Sequence, residues 1–150
     1  MITNDAGRML IMRWETLQLK AYLCPAGIPT VGYGHTEGVV MGRRAITAHE
    51  AEVMLEYDLQ VAESAVGRFA KRPSGNQFSA LVSFVFNLGE TNFTKSTLLK
   101  RHNAGQPLNA AAEFDKWVKA KDPKTGALVT LPGLVKRRAQ EKALYLQADN

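Results

Sequence analysis

A single cysteine, Cys24, in a chain of 150 residues excludes an intramolecular disulfide, and with it the small secreted scaffolds that depend on such bonds. A chain of this length manages without them, because it can bury roughly 70% of its unfolded surface in an ordinary core. Long apolar runs are missing as well: nothing approaches the ~20 consecutive apolar residues that span a bilayer. Met1 to Arg8 puts an acid ahead of any base and holds no apolar stretch of signal-peptide length, so the chain is expected to stay in the cytoplasm after synthesis. Histidine is scarce. His35, His49 and His102 are too scattered to make the helical His pair of a metalloprotease, and no metal or other cofactor is expected. No Gly-x-Ser-x-Gly elbow and no P-loop is present. Without repeats, low-complexity tracts or linkers, residues 1–150 read as one domain.

What is present is a balanced globular composition, 45% hydrophobic and 22% charged, with nineteen Lys and Arg against fourteen Asp and Glu. The net charge of +5 implies attraction to polyanions without choosing among nucleic acid, anionic lipid and the bacterial wall. Ala6, Met9, Leu10, Trp14 and Leu17 recur at helical spacing, which predicts a first amphipathic helix carrying Glu15 near its end. From Leu23 to His35 the pattern changes. Pro25, Gly27, Pro29, Gly32 and Gly34 punctuate a β-prone stretch that predicts a small hairpin. Thr47-Ala48-His49-Glu50 and Ser74-Gly75-Asn76-Gln77 are capping boxes, the second opening an almost wholly apolar helix that Gly89 stops. Helices are expected from Lys95 to Ala104, from Asn109 to Lys121 with Phe114 and Trp117 as core residues, and from Pro132 onward through Leu134, Arg138, Ala143 and Leu146. Asp122 to Gly126 reads as a turn. The expected class is α+β, mainly α, with one small sheet near the N-terminus.

Chemistry concentrates between Glu15 and His35, where a carboxylate ends a helix and a glycine-punctuated hairpin returns the chain toward it. Glu15, eight residues, Cys24, five residues, Thr30 is similar to the Glu-x8-Asp/Cys-x5-Thr pattern of the phage T4-type lysozymes, glycoside hydrolase family 24. The likeness extends to Thr30-Val31-Gly32-Tyr33-Gly34-His35-Thr36, to Gln77 through Phe84 with Phe86-Asn87-Leu88-Gly89, to Ser96-Thr97-Leu98-Leu99, to Glu113 through Trp117 and to Gly133 through Arg138. It thus covers nearly the whole chain. The resemblance implies a lysozyme-like fold with a helical C-terminal lobe. It also implies an endolysin that hydrolyses the β-1,4 bond between N-acetylmuramic acid and N-acetylglucosamine in bacterial peptidoglycan and so lyses the host cell.

Under that resemblance Glu15 is the catalytic acid, Thr30 positions a water or stabilises an intermediate, and Cys24 occupies the place where Asp is commoner. A thiol is the weaker acceptor, with a few per cent thiolate at neutral pH, so Cys24 can hold the water, act as base, or attack directly. Gly32-x-Gly34 fits a close backbone approach in a tight turn. His35 reads as a structural hydrogen-bonding partner. Lys136-Arg137-Arg138 reads as a solvated helix face whose charges help hold an anionic wall polymer. The partner expected is peptidoglycan, with no nucleic acid, no stable membrane anchor and a monomeric state, and release to the wall through a separate membrane pore. Three rivals stay open: a basic nucleic-acid-binding module, a lytic transglycosylase, and a wall amidase or peptidase with Cys24 as nucleophile and His35 or His102 as base.

Overall fold

The computed structural model describes all 150 residues and is mainly helical, an α+β fold with two short antiparallel hairpins rather than the single sheet expected. It resolves into two compact units, Ile11–Val61 and Met1–Leu10 with Ala62–Asn150. None of its helices is long and apolar enough to cross a membrane.

The smaller unit takes the end of α1 (Asp5–Glu15), the hairpin of β1 (Gln18–Leu23) and β2 (Pro29–Gly32), and the first part of α2 (Ala48–Phe69). Thr16 adopts a left-handed conformation, φ 56°, that a helix cannot continue. The chain reverses there, so Leu17 lies outside the helix and the strand begins at Gln18, earlier than the glycine and proline pattern indicated. The register pairs Gln18 with Gly32 and Tyr22 with Thr30, and shifts between them. Gly32, at φ 70°, lets β2 lie against the start of α2, where an added Cβ would sit 3.4 Å from Ala51 Cβ. Ile11, Val31, Tyr33, Ile46, Ala51, Leu55 and Leu59 make the core. Thr47 and Glu50 form the expected capping box: the Glu50 N–H donates to Thr47 Oγ1 at 3.1 Å, and the Thr47 N–H to Glu50 Oε1 at 3.2 Å.

The larger unit is built around α3 (Gly75–Leu88), which packs on α7 (Pro132–Leu146), with α4 (Glu90–Lys95), α5 (Thr97–Asn103) and α6 (Pro107–Glu113) around them. The Ser74–Gln77 capping box opens α3 and Gly89, at φ 89°, closes it, as the sequence indicates. Asp149 supplies further acceptors to the N–H groups of Gly75 and Asn76 at 2.7 and 2.9 Å. Phe84 is a hub, meeting Phe93, Phe114 and Trp117 edge to face at 6.3, 5.7 and 5.5 Å. The first helix packs differently from its hydrophobic pattern: Ala6 and Met9 are exposed, while Gly7 is buried. An added Cβ at Gly7 would lie 2.6 Å from Ser79 Cβ, so backbone proximity rather than an apolar side chain defines that contact.

Two further expectations are corrected in this unit. The helix read from Asn109 to Lys121 stops at Glu113, continues as a single 3₁₀ turn over Phe114–Lys116, and gives way to the hairpin of β3 (Lys119–Lys121) and β4 (Leu128–Thr130) around the Asp122–Gly126 turn. Arg137 and Arg138 are not solvated. They are 4% and 0% exposed, and their partner Glu141 is 0% exposed. Both guanidiniums donate to the Glu141 carboxylate, which also accepts from Ser83 Oγ at 2.5 Å; Arg138 further donates to Asn87 Oδ1 and lies 5.5 Å from the Phe84 ring centroid. Three charges can be buried together because each is paired and hydrogen-bonded. Burial pushes the Glu141 carboxyl up, and the two guanidiniums and the Ser83 hydroxyl pull against it.

Glu141→Ala leaves two buried guanidiniums without their acceptor and is expected to cost about 3–5 kcal/mol. Ser74→Ala, which removes only a cap, is expected to cost ~1 kcal/mol. Urea unfolding midpoints at constant slope check both, and a Glu141 variant no less stable than the Ser74 variant would show that the network is dispensable.

Candidate active site

The candidate residues Glu15, Cys24 and Thr30 all fall in the smaller unit. Glu15 is the last residue of α1 and is half-buried. Beside it runs the tight turn closed by reciprocal backbone bonds between Val31 and His35, both 2.9 Å. Gly34, in that turn at φ 79°, has no side chain where a Cβ would stand 3.3 Å from Glu15 Oε2. The backbone therefore comes up to the carboxylate, the close approach that the glycine spacing indicated.

Thr30 precedes Val31 on β2, is 3% exposed, and donates from Oγ1 to the Ile28 carbonyl at 2.8 Å. The same carbonyl accepts the Cys24 N–H at 3.0 Å, and the Cys24 carbonyl accepts the Gly27 N–H at 2.8 Å. Cys24 and Thr30 are thus joined in one small loop. The backbone N–H of Ile28 holds the Cys24 thiol below its ordinary pKa, helped by the N–H of Ala26 and the Thr30 hydroxyl and opposed by slight burial. One sequence of contacts runs from Glu15 to Gly34, through the Val31–His35 bridge to Thr30, and on to Cys24. A carboxyl group, a thiol and a hydroxyl therefore share one scaffold.

His35 has Nδ1 2.8 Å from Asp58 Oδ2 on α2. Asp58 is a partner the sequence did not reveal, since it is one of several acids along that helix. His102 is buried in the larger unit, where Nδ1 meets the Tyr145 hydroxyl at 2.6 Å and Nε2 the Lys71 carbonyl at 3.0 Å. A neutral ring that donates from Nε2 and accepts at Nδ1 satisfies both bonds. No nitrogen is left to serve a nucleophile. Burial lowers the pKa of His102, against the pull of the Lys71 carbonyl, and pushes Tyr145 up to about 12.

Comparison with known proteins shows what the whole chain is similar to. Residues 12–141 match the family model described as phage lysozyme. An endolysin of Acyrthosiphon pisum secondary endosymbiont phage 1 is 47% identical over 97% of this chain and 98% of its own length. Among solved structures, the muramidase domain of SpmX from Asticaccaulis excentricus superposes with a TM-score of 0.90 at 38% identity, covering 97% of each chain. An endolysin from Escherichia coli O157:H7 phage FAHEc1 does so with 0.89 at 40%, covering 97% of this chain and 94% of its own.

Because the folded pKa of His102 is depressed, the unfolded chain takes up that proton first on acidification. The stability it contributes is present above the unfolded pKa of about 6.5 and declines as pH falls through and below that value. The melting temperature is expected to drop more steeply between about pH 7 and about pH 5 in the parent than in His102→Gln. Parallel pH profiles for the two proteins would refute the assignment of a neutral buried ring.

Proposed function

The chain belongs to the phage lysozyme family, and on that footing we propose how its residues cut the wall glycan and how it reaches it. It is a glycoside hydrolase of the lysozyme class, an endolysin that hydrolyses the β-1,4 bond between N-acetylmuramic acid and N-acetylglucosamine of peptidoglycan. Glu15 donates its proton to the glycosidic oxygen as the bond to the sugar carbon breaks, while a water attacks that carbon and loses a proton to bulk water, from which Glu15 is reprotonated. Cys24 and Thr30 hold that water: the sulfur accepts its hydrogen and the Thr30 hydroxyl fixes its position. The observation that carries this reading is the single run of contacts linking Glu15, the Gly34 turn, Thr30 and Cys24. The N–H groups aimed at the sulfur favour its charged form and so improve a thiol as an acceptor.

Residues 1–150 make one catalytic domain, a monomer without metal or cofactor and without nucleic acid as partner. A separate membrane pore passes the enzyme from the host cytoplasm to the wall. A wall amidase or peptidase that pairs Cys24 with His102 as base is disfavoured, since both ring nitrogens of His102 are committed to other partners. Mass spectrometry of digested peptidoglycan tests the function directly: new reducing sugar ends are expected, whereas 1,6-anhydro ends mean a lytic transglycosylase and new amino groups mean peptide or amide cleavage.

Glu15→Gln is expected to keep the fold and retain less than about 1% of the activity, because general acid catalysis typically contributes 10²–10⁴-fold. Cys24→Asp is expected to stay active and Cys24→Ala to lose activity strongly, since the site needs an acceptor facing water rather than sulfur as such. Turbidity clearing of permeabilised cells, with circular dichroism as the check on folding, reads all three. The reverse order for the two Cys24 variants would make Cys24 a packing residue, and loss in both with the fold intact would favour a sulfur nucleophile.

A further inference from the structure

Charge is divided unevenly between the two units. Residues 11–61 hold four Lys and Arg against six Asp and Glu, and the remaining residues hold fifteen against eight, so all of the excess positive charge lies in the larger unit. Within that unit the β3–β4 hairpin contributes little to the core. Lys119 pairs with Thr130 and Lys121 with Leu128, and directly opposed residues of an antiparallel pair share a face. That face is exposed throughout, while only Ala120 and Val129, on the other face, are partly covered. Lys124 stands exposed in the connecting turn, and the one acid of the segment, Asp122, is occupied in accepting the Lys124 N–H at 2.8 Å. Lys116 and Lys142 nearby are neutralised by Glu113 and Asp115, but Lys119, Lys121 and Lys124 have no ion-pair partner. Beside them Leu128 is 69% exposed and Leu131 39%.

We propose that the outward face of the β3–β4 hairpin is a docking surface for an anionic phospholipid membrane. The occupant follows from the mixture of groups. Three unpaired ammonium groups complement a sheet of phosphate headgroups, and long lysine stems reach them without a preformed pocket. No arginine fork or closed cavity on this face selects a single phosphate. Exposed leucines gain nothing from a hydrated polyanion, but they are covered at the boundary between headgroups and acyl chains. The contact is shallow, reversible and salt-sensitive, a way of keeping the enzyme beside the envelope rather than an anchor. It is separate from the cleavage chemistry and can fail without it.

The test is co-sedimentation of the full-length protein with vesicles at low salt, alongside hydrolysis of lipid-free sacculi. Binding is expected to vesicles of equal parts phosphatidylglycerol and phosphatidylcholine, and not to phosphatidylcholine alone. Each lysine near an anionic surface strengthens partitioning roughly fivefold, so the combined variant Lys119→Gln, Lys121→Gln, Lys124→Gln is expected to lose about a hundredfold. Leu128→Ser should lose a few-fold with no change of charge. A control with the same charge removed from the same unit, Lys71→Gln, Lys95→Gln, Lys100→Gln, should lose far less, and all of these variants should digest sacculi as the parent does. The proposal is overturned by absence of binding to the anionic vesicles, or by equal losses in the two triple variants, which would assign the effect to net charge. It is also overturned by unchanged partitioning of Leu128→Ser, which would make the occupant a soluble polyanion. Loss of sacculus digestion in the hairpin variant with vesicle binding intact would overturn it too, by making these lysines holders of the wall polymer.

Discussion

Everything in the smaller unit depends on a backbone turn being allowed to touch a carboxylate. Glu15 ends its helix because Thr16 turns left-handed, and the hairpin that follows comes back with Gly34 where any side chain would crowd Glu15 Oε2. Two glycines at positive φ make this possible from opposite sides: Gly34 against Glu15, and Gly32 against Ala51 of α2. The His35–Asp58 contact ties the same turn to α2. The turn is thereby fixed at three points, and a residue placed by its backbone keeps its position better than one on a free loop. Thr30 and Cys24 inherit that rigidity through β2.

The larger unit meets its own constraint in a different currency. Burying Arg137, Arg138 and Glu141 between α7 and α3 sacrifices their hydration, and such a cluster is weak evidence for stability as such. What it adds is direction. The Glu141 carboxylate accepts from Ser83, and Arg138 reaches Asn87, so α7 can pack on α3 in only one register without stranding a charge. Hydrophobic contact alone tolerates sliding, whereas a paired polar cluster does not, even one that leaves Arg138 Nε without an acceptor.

The legible parts of this molecule were those in which local sequence and final structure obey the same rule. Both capping boxes, the stop at Gly89, the proline at the start of α7 and the turn over Asp122–Gly126 depend on residues a few positions apart, and they stand where the sequence put them. The Glu15, Cys24 and Thr30 spacing was legible through its resemblance and through the glycines around it. What escaped is what depends on distant partners. Periodicity gave the first helix an apolar face through Met9, while the buried contact is Gly7 against Ser79, and a residue without a side chain leaves no hydrophobic signal. The bases of α7 looked solvated because the acid that neutralises them lies one turn further on, and the acceptors that complete the set come from α3. The β3–β4 hairpin was hidden because three-residue strands rich in lysine carry no alternation strong enough to compete with a helical reading.

Cysteine at position 24 is less anomalous than it first looks, because the backbone around it favours charge on its sulfur. The Ile28 N–H lowers the cost of charge on the sulfur, and the Ala26 N–H, two residues on, adds to it. Such an arrangement serves a carboxylate and a thiolate alike, since both are acceptors of about the same reach. In the proposed reading the two N–H groups do part of what a neighbouring cation does in thiol enzymes, lowering the cost of charge on the sulfur. A base activated in this way stays weaker than a carboxylate at removing a proton outright. In the proposed mechanism it holds a water while the developing positive charge on the sugar makes that water acidic, and Glu15 carries most of the chemical burden.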